Sequence, residues 1–173
     1  MLDARSALAS VKPFVSETLT LREVPDFTVH QMSWFTNADE KSLKQSLGTM
    51  PSRVGHTVES DHGILMRVGP RQLWCLGALP DMGVGIITTP LSSSRSRIEV
   101  GGAKSRELLA LCAAIDFHPS AFKPGQFVMT GIHHTPVTIH CIGENQFHLY
   151  ALRTFGLSVW EWLVDAREGL DDA

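Results

Sequence analysis

Two similar β-hairpins, 74 residues apart, constrain the fold of this 173-residue chain more than any other feature. In residues 62–77, two apolar runs flank Gly69-Pro70-Arg71, and a second such pair flanks Gly143-Glu144-Asn145. Aligning the two turns also places Gln72 on Gln146. Each hairpin follows a predicted helix that is preceded by β-rich sequence. We therefore predict an α+β fold of two β-α-β-β (ferredoxin-like) halves that share antiparallel sheet and one core.

The length fits one domain, which we divide by composition. Residues 1–16 lack a clear hydrophobic period and are expected to form an N-terminal arm, while 17–173 form a single domain. Its halves cover about 17–80 and 94–169. The stretch between them, about 81–93, is rich in Gly, Ser, Thr and Pro and is predicted to be a linker.

The first half begins with two predicted strands, 18–24 and 27–35. A helix is expected to start at Asn37, whose side chain can accept the amide of Glu40, and to end at Gly48.

The second half begins with a short strand over 97–100 and a helix over about 103–115. An apolar stripe marks the core side of this helix: Leu108, Leu111, Cys112 and Ile115. A turn-rich loop over 116–125 and two or three strands follow. A last helix is predicted over 157–168, with Gly169 as its C-cap.

Charge and composition exclude several classes of function. The net charge of −3 argues against nucleic-acid binding, and no apolar run is long enough for a membrane span. Three cysteines without a CxxC pair indicate reduced thiols and a cytoplasmic protein. Only 19% of the residues are charged, against ~25% in an ordinary domain, which favours a subunit with part of its surface held against a partner.

No catalytic, cofactor or metal site stands out. In the second hairpin His140 should lie opposite His148, but two ligands do not make a metal site, and ordinary packing is the preferred interpretation. Cys112 is expected to be an inert core thiol, and Asp116 with His118 to brace their loop. The lone Gly83-Val84-Gly85 lacks the rest of a dinucleotide-binding fingerprint.

The last helix and three arginines suggest an interaction surface. Trp160 and Trp162 cannot point the same way, so one is expected to pack inside while the other anchors a partner; alternatively, both belong to the core. The arginines suit carboxylates within the chain or across an interface. The predicted interface residues are Arg95, Arg97, Arg153, Phe155, Trp160 and Trp162.

Four motifs, spread over about residues 60–166, carry a family resemblance. They are the hairpin VGPRQLWCLG (68–77), the strand-turn RIEVGG (97–102), the loop DFHPSAFKPG (116–125) and the ending RTFGLSVWEWL (153–163). In this order they resemble the gamma subunit of heterotetrameric sarcosine oxidase and of related N-methyl amino-acid oxidases and dehydrogenases. The first 60 residues match only in general pattern.

The resemblance implies a fold similar to the folate-binding domains of the glycine-cleavage T-protein and the YgfZ group. It implies alpha, beta and delta partner subunits, with FAD, FMN, NAD and tetrahydrofolate bound on the partners. The complex would oxidise an N-methyl amino acid and pass the methyl carbon to tetrahydrofolate, with this chain as a structural subunit without an active site. A folate-binding, aminomethyltransferase-like module remains the alternative, for which Asp116 and Glu99 are the candidates for the acidic anchor.

Overall fold

A computed structural model describes residues 5–171 of the chain. Within them the elements, in chain order, are β1 (Phe14–Val15), β2 (Thr20–Glu23), β3 (His30–Trp34), α1 (Asn37–Leu47), β4 (Thr57–Ser60), β5 (Gly63–Gly69), β6 (Gln72–Leu76), β7 (Ile86–Pro90), β8 (Arg95–Gly101), α2 (Ser105–Cys112), β9 (Gln126–Ile132), β10 (Thr135–Gly143), β11 (Gln146–Leu152) and α3 (Gly156–Asp171). No helix in this range is both long and apolar enough to cross a membrane.

The chain divides into two compact units, each with its own antiparallel sheet. One unit takes the chain up to Pro25 and from Ser94 onward, and the other takes Asp26–Ser93. The first contains a six-stranded sheet in the order β1-β2-β8-β11-β10-β9, and the second a five-stranded sheet in the order β4-β5-β6-β3-β7. The predicted α+β class with antiparallel sheet is confirmed, but the sheet is divided in two rather than shared.

The internal repeat is present and longer than predicted. The segment β3-α1-β4-β5-β6 corresponds to β8-α2-β9-β10-β11, and the corresponding strands have the same order in both sheets. Each repeat is thus β-α-β-β-β. The two hairpins also share a shift of the strand register next to the turn. In the first hairpin it lies between Met66 and Gly69, and Gly69 pairs with Gln72. In the second it lies between Cys141 and Gly143, and Gly143 pairs with Gln146.

The strand that precedes each repeat is exchanged between the sheets. β2 precedes β3 in the chain but pairs with β8, whereas β7 precedes β8 but pairs with β3. The predicted linker over 81–93 therefore contains a strand, and residues 20–23 belong to the second repeat's sheet. Local sequence could not reveal this exchange, because pairing between distant strands depends on the whole sheet.

The N-terminal segment is packed rather than a free arm in its described part, residues 5–16. Leu8 is fully buried in the core of the first unit. Ser6 donates a hydrogen bond to Glu23, and Phe14 pairs with Leu21. The prediction for residues 1–4 lies outside the described residues.

Two hydrophobic cores replace the single core that the repeat suggested. The first lies on one face of the six-stranded sheet and is covered by α2 and α3; its members include Ile98, Leu108, Ile139 and Leu163. The second packs α1, through Leu43 and Leu47, against the five-stranded sheet.

The start of α1 differs from its prediction by one residue. The N-cap of α1 is Thr36, which forms a capping box with Asp39, rather than Asn37 with Glu40. The predicted end at Gly48 is confirmed.

The helix α2 is shorter than expected, because Ala113 already has extended backbone. Its core face is formed by Leu108 and Leu109, and Leu111 is 60% exposed, so the predicted stripe is wrong at Leu111. Cys112 and Ile115 are partly buried and pack against the core as predicted, Ile115 from beyond the end of the helix.

The helix α3 starts at Gly156 and continues through Gly169, which is not its C-cap. At its start, a Cβ built on Gly156 would lie 2.5 Å from Ser96 Oγ. The helix therefore approaches β8 at a distance that only glycine permits.

Candidate functional site

The three arginines predicted at an interface all donate to main-chain carbonyl groups. Arg95 bonds to the Ser94 carbonyl at 3.2 Å, and burial lowers the pKa of its guanidinium. Arg97 bonds to the carbonyl of Val24 at 3.3 Å. Arg153 is exposed and bonds to the carbonyl of Arg5. These contacts place Arg97 and Arg153 in roles that hold the N-terminal segment.

Exposed apolar side chains lie beside Arg153 where α3 begins. Phe155 is 43% exposed and Leu157 is 42% exposed. The predicted interface residues include Phe155 but not Leu157. Together with Arg153 they form a small mixed surface of the kind found at the edges of interfaces.

The two tryptophans of α3 have different environments. Trp160 is only 6% exposed and belongs to the core of the first unit. Trp162 is half-buried, and its ring stacks on His133 at a centroid distance of 4.8 Å. Trp162 also packs against this core, which agrees with the alternative that both tryptophans belong to it. The burial of Trp160 argues against a role as partner anchor.

The opposed histidines of the second hairpin lie where the sequence places them, with His140 opposite His148. Both belong to the sheet face opposite α2 and α3, and burial lowers the pKa of each to about 4. His148 Nε2 lies 3.8 Å from Glu99 Oε2. No group of three or more possible metal ligands occurs among residues 5–171.

Glu99 is the acidic centre of this sheet face. It is buried and accepts a hydrogen bond from Arg22 at 2.8 Å and a longer one from Gln146. Burial by itself would raise the pKa of Glu99, but the bonds from Arg22 and Gln146 outweigh it and leave the pKa below its ordinary value. Its carboxylate is thus already paired within the sheet.

The loop 116–125 is held by a side chain that sequence reasoning missed. Arg106 of α2 donates to the main-chain carbonyls of Phe117 at 2.6 Å, Phe122 at 3.0 Å and Glu144 at 2.8 Å. Its guanidinium also lies 5.1 Å from the centroid of the Phe147 ring. A lone arginine on a helix gives no local sign of such contacts.

Asp116 and His118 form hydrogen bonds within this loop, and the nearby thiol of Cys112 is partly buried. The Asp116 carboxylate accepts the His118 amide at 2.8 Å, and His118 Nδ1 lies 2.7 Å from Ser120 Oγ. Burial raises the pKa of the Cys112 thiol to about 11. These contacts agree with the predicted bracing of the loop by Asp116 and His118 and with an unreactive Cys112.

A groove of about 520 Å³ runs beside α1 in the second unit. Its wall contains Arg67, which pairs with Glu40 at 2.8 Å and lies over the Trp34 ring at 5.5 Å. Trp34 also donates to Glu40 at 3.3 Å. The charged pair therefore belongs to the internal structure of this unit, and exposed Lys41 and Lys44 line the same groove.

The first comparison concerns the fold alone. The structure is similar to a glycine cleavage system aminomethyltransferase T from Bartonella henselae, with a TM-score of 0.64 and 13% identity. That match covers 83% of this chain and 45% of the other. The chain thus has the fold of the T-protein aminomethyltransferases.

The family follows from the sequence. The model of the sarcosine oxidase gamma subunit family matches residues 82–169, and the chain belongs to this family. A chain of the heterotetrameric sarcosine oxidase from Corynebacterium sp. U-96, solved in complex with pyrrole 2-carboxylate, has a TM-score of 0.84 and 20% identity. That match covers 96% of this chain and 95% of the other. A search of curated proteins finds no match. The predicted resemblance is thereby confirmed.

Proposed function

We propose that this chain is a non-catalytic gamma subunit of a heterotetrameric, flavin-dependent complex of the sarcosine oxidase type. The family match over residues 82–169 is the observation that carries this proposal. The similarity in fold to a chain of a heterotetrameric sarcosine oxidase over nearly the full length of both chains supports it. The partners are then alpha, beta and delta subunits in the cytoplasm, where the free thiols Cys75, Cys112 and Cys141 stay reduced.

A structural role agrees with the way this chain uses its polar groups. Arg106, Asp116 and His118 hold one loop, while Glu99 is paired with Arg22. Groups fixed in this way are poorly placed to exchange protons with a substrate. FAD, FMN, NAD and tetrahydrofolate are assigned to the partner subunits. There the complex oxidises an N-methyl amino acid and transfers the one-carbon unit to tetrahydrofolate.

Reconstitution tests this function. The chain is produced alone and together with the alpha, beta and delta subunits of its complex, and sarcosine oxidation and flavin absorbance are measured. We expect a complex with one copy of each subunit to oxidise sarcosine, and the isolated chain neither to oxidise it nor to retain flavin. Sarcosine oxidation or bound flavin in the isolated chain would overturn the non-catalytic role.

The alternative is a folate-binding, aminomethyltransferase-like module, which the similarity in fold to aminomethyltransferase T favours. Both candidates for its acidic anchor already have partners, since Asp116 accepts the His118 amide and Glu99 pairs with Arg22. Calorimetric titration of the full chain with tetrahydrofolate distinguishes the two functions. Saturable binding that is lost in Glu99→Gln favours the alternative, and the absence of binding favours the structural subunit.

A further inference from the structure

The outer edge of β9 is an open sheet edge. β9 is the last strand of the six-stranded sheet, and no strand in the described part of the chain pairs with its outer side. Seven residues, Gln126–Ile132, form this edge. A strand of this length offers a row of backbone donors and acceptors to another chain.

The turn that follows β9 determines which backbone groups face outward. His133 and His134 have φ values of 43° and 68°, the geometry of a two-residue type I′ hairpin turn. In such a hairpin the closing pair, Ile132 and Thr135, exchanges both hydrogen bonds, and alternate pairs do the same. The N–H and C=O groups of Phe127, Met129 and Gly131 therefore point away from β10.

The position of a proline agrees with this assignment. Pro136 of β10 pairs with Gly131 and has no N–H to donate. It occupies a pair that needs no hydrogen bond between β9 and β10. The proline therefore agrees with Gly131 belonging to the outward set.

This edge lacks the usual features that prevent pairing with other chains. Its sequence, QFVMTGI, contains no charged residue and no proline. The other edge strands are protected, since β4 contains Glu59, β7 ends in Pro90 and β1 has only two residues. Met129 is 57% exposed at the centre of β9, and exposed Gly131 permits close approach of another backbone.

We propose that β9 accepts an extended segment of a partner subunit as an additional strand of the six-stranded sheet. The segment is uncharged where it faces β9 and bonds through its main chain to Phe127, Met129 and Gly131. This inference rests on the proposed function, because it requires a multisubunit complex.

The size of the contact favours a partner subunit over a second copy of this chain. One seven-residue strand pair buries far less than the roughly 1,200 Å² of the smallest stable interfaces. It is therefore too small to hold two copies together alone. A segment tethered to a subunit that also binds elsewhere gains a high effective concentration, so a short strand suffices.

Hydrogen–deuterium exchange of the wild-type chain, alone and in the complex, tests the assignment without any substitution. In the isolated chain, we expect fast exchange at the amides of Phe127, Met129 and Gly131 and slow exchange at Val128 and Thr130. Assembly with the partner subunits should slow the first three at least tenfold. Unchanged exchange at these three amides in an assembled complex would overturn the proposal.

Proline substitutions give the matched test. Met129→Pro removes an outward N–H and leaves the bonds to β10 intact, so the chain should fold but capture the partner subunits at least tenfold less well. Thr130→Pro removes an inward N–H and should instead disrupt the hairpin. Met129→Lys, which adds a charge to the edge, should also reduce capture, whereas Val54→Lys in the second unit should not.

The outcomes separate this proposal from the proposed function. If wild-type chain assembles and folded Met129→Pro and Met129→Lys assemble equally well, the added strand is wrong and the subunit role stands. If wild-type chain does not assemble with the partner subunits, the proposed function fails. A dimer of the isolated chain that Met129→Pro dissociates would identify a second copy as the occupant and overturn the proposal.

Discussion

His140 of β10 lies directly opposite His148 of β11, and burial lowers the pKa of both imidazoles to about 4. In the unfolded chain a histidine has a pKa of roughly 6.5. Between these values the unfolded state binds more protons than the folded state. The free energy of unfolding therefore falls as the pH drops from about 6.5 to about 4.

His140→Phe tests this pH dependence. His140 Nδ1 has no hydrogen-bond partner among the described residues, so phenylalanine keeps the ring without breaking a known bond there. At about 1.4 kcal/mol per pKa unit, His140 should destabilise the fold by about 2 kcal/mol at pH 5 relative to pH 7.5. Urea unfolding at both pH values should show this loss reduced in the variant.

The control is exposed His134→Asn, at a left-handed position that asparagine tolerates, which should leave the wild-type pH dependence intact. Parallel stability curves for wild type and His140→Phe would contradict the assignment.

Trp160 and Trp162 should respond differently to truncation. Trp160→Ala removes a buried core ring and should lower the free energy of unfolding by about 3–5 kcal/mol. Trp162→Ala removes a half-buried ring and should cost about 1–2 kcal/mol, part of it from the stack on His133. A double-mutant cycle with His133→Asn should give a coupling energy of about 0.5–1.5 kcal/mol. Equal losses for the two tryptophan variants would refute their different environments.

Two glycines of α3 should show opposite effects on substitution. Gly156→Ala places a Cβ 2.5 Å from Ser96 Oγ and should destabilise the chain by about 1–3 kcal/mol. Gly169 lies in the same helix, and a Cβ there would meet no atom within 4 Å apart from the neighbouring turns of the helix, so Gly169→Ala should stabilise the chain by up to about 1 kcal/mol. Thermal unfolding of the two variants checks the signs. Stabilisation by both substitutions would show that helix propensity, not the contact with β8, decides at Gly156.

Arg106 should stabilise the loop 116–125 through the geometry of its guanidinium. Arg106→Ala leaves the carbonyls of Phe117 and Phe122 without this donor and should cost about 2–3 kcal/mol. Arg106→Lys should recover less than half of that, because an ammonium group cannot reproduce the planar fork. Limited proteolysis should cleave the loop faster in both variants, whereas Arg53→Lys at an exposed position should behave like wild type. Full recovery with lysine would show that charge alone is sufficient.

Local chemistry determined the elements that the sequence could predict. Gly69 and Gly143 mark the two hairpin turns because polar turn residues interrupt alternating apolar runs. The turn position alone does not set the register, since Gly143 pairs with Gln146 and it is the shift between Cys141 and Gly143 that brings His140 opposite His148. Thr36 was missed by one residue, since both Thr36 with Asp39 and Asn37 with Glu40 satisfy a capping pattern. The family motifs are likewise contiguous stretches of sequence, so the family could be recognised before the structure.

Only the tertiary structure decided the features that depend on distant pairing. The exchange of β2 and β7 divides the antiparallel strands between two sheets, and no short-range pattern encodes which distant strand a β-rich segment will join. How deeply Trp160 and Trp162 are buried depends on the packing of α3 against β8, where Gly156 closely approaches Ser96. The open edge of β9 is likewise a property of the finished sheet. The repeat, the turns and the family can be predicted from local sequence, whereas the burial of each side chain and the open sheet edges depend on long-range packing.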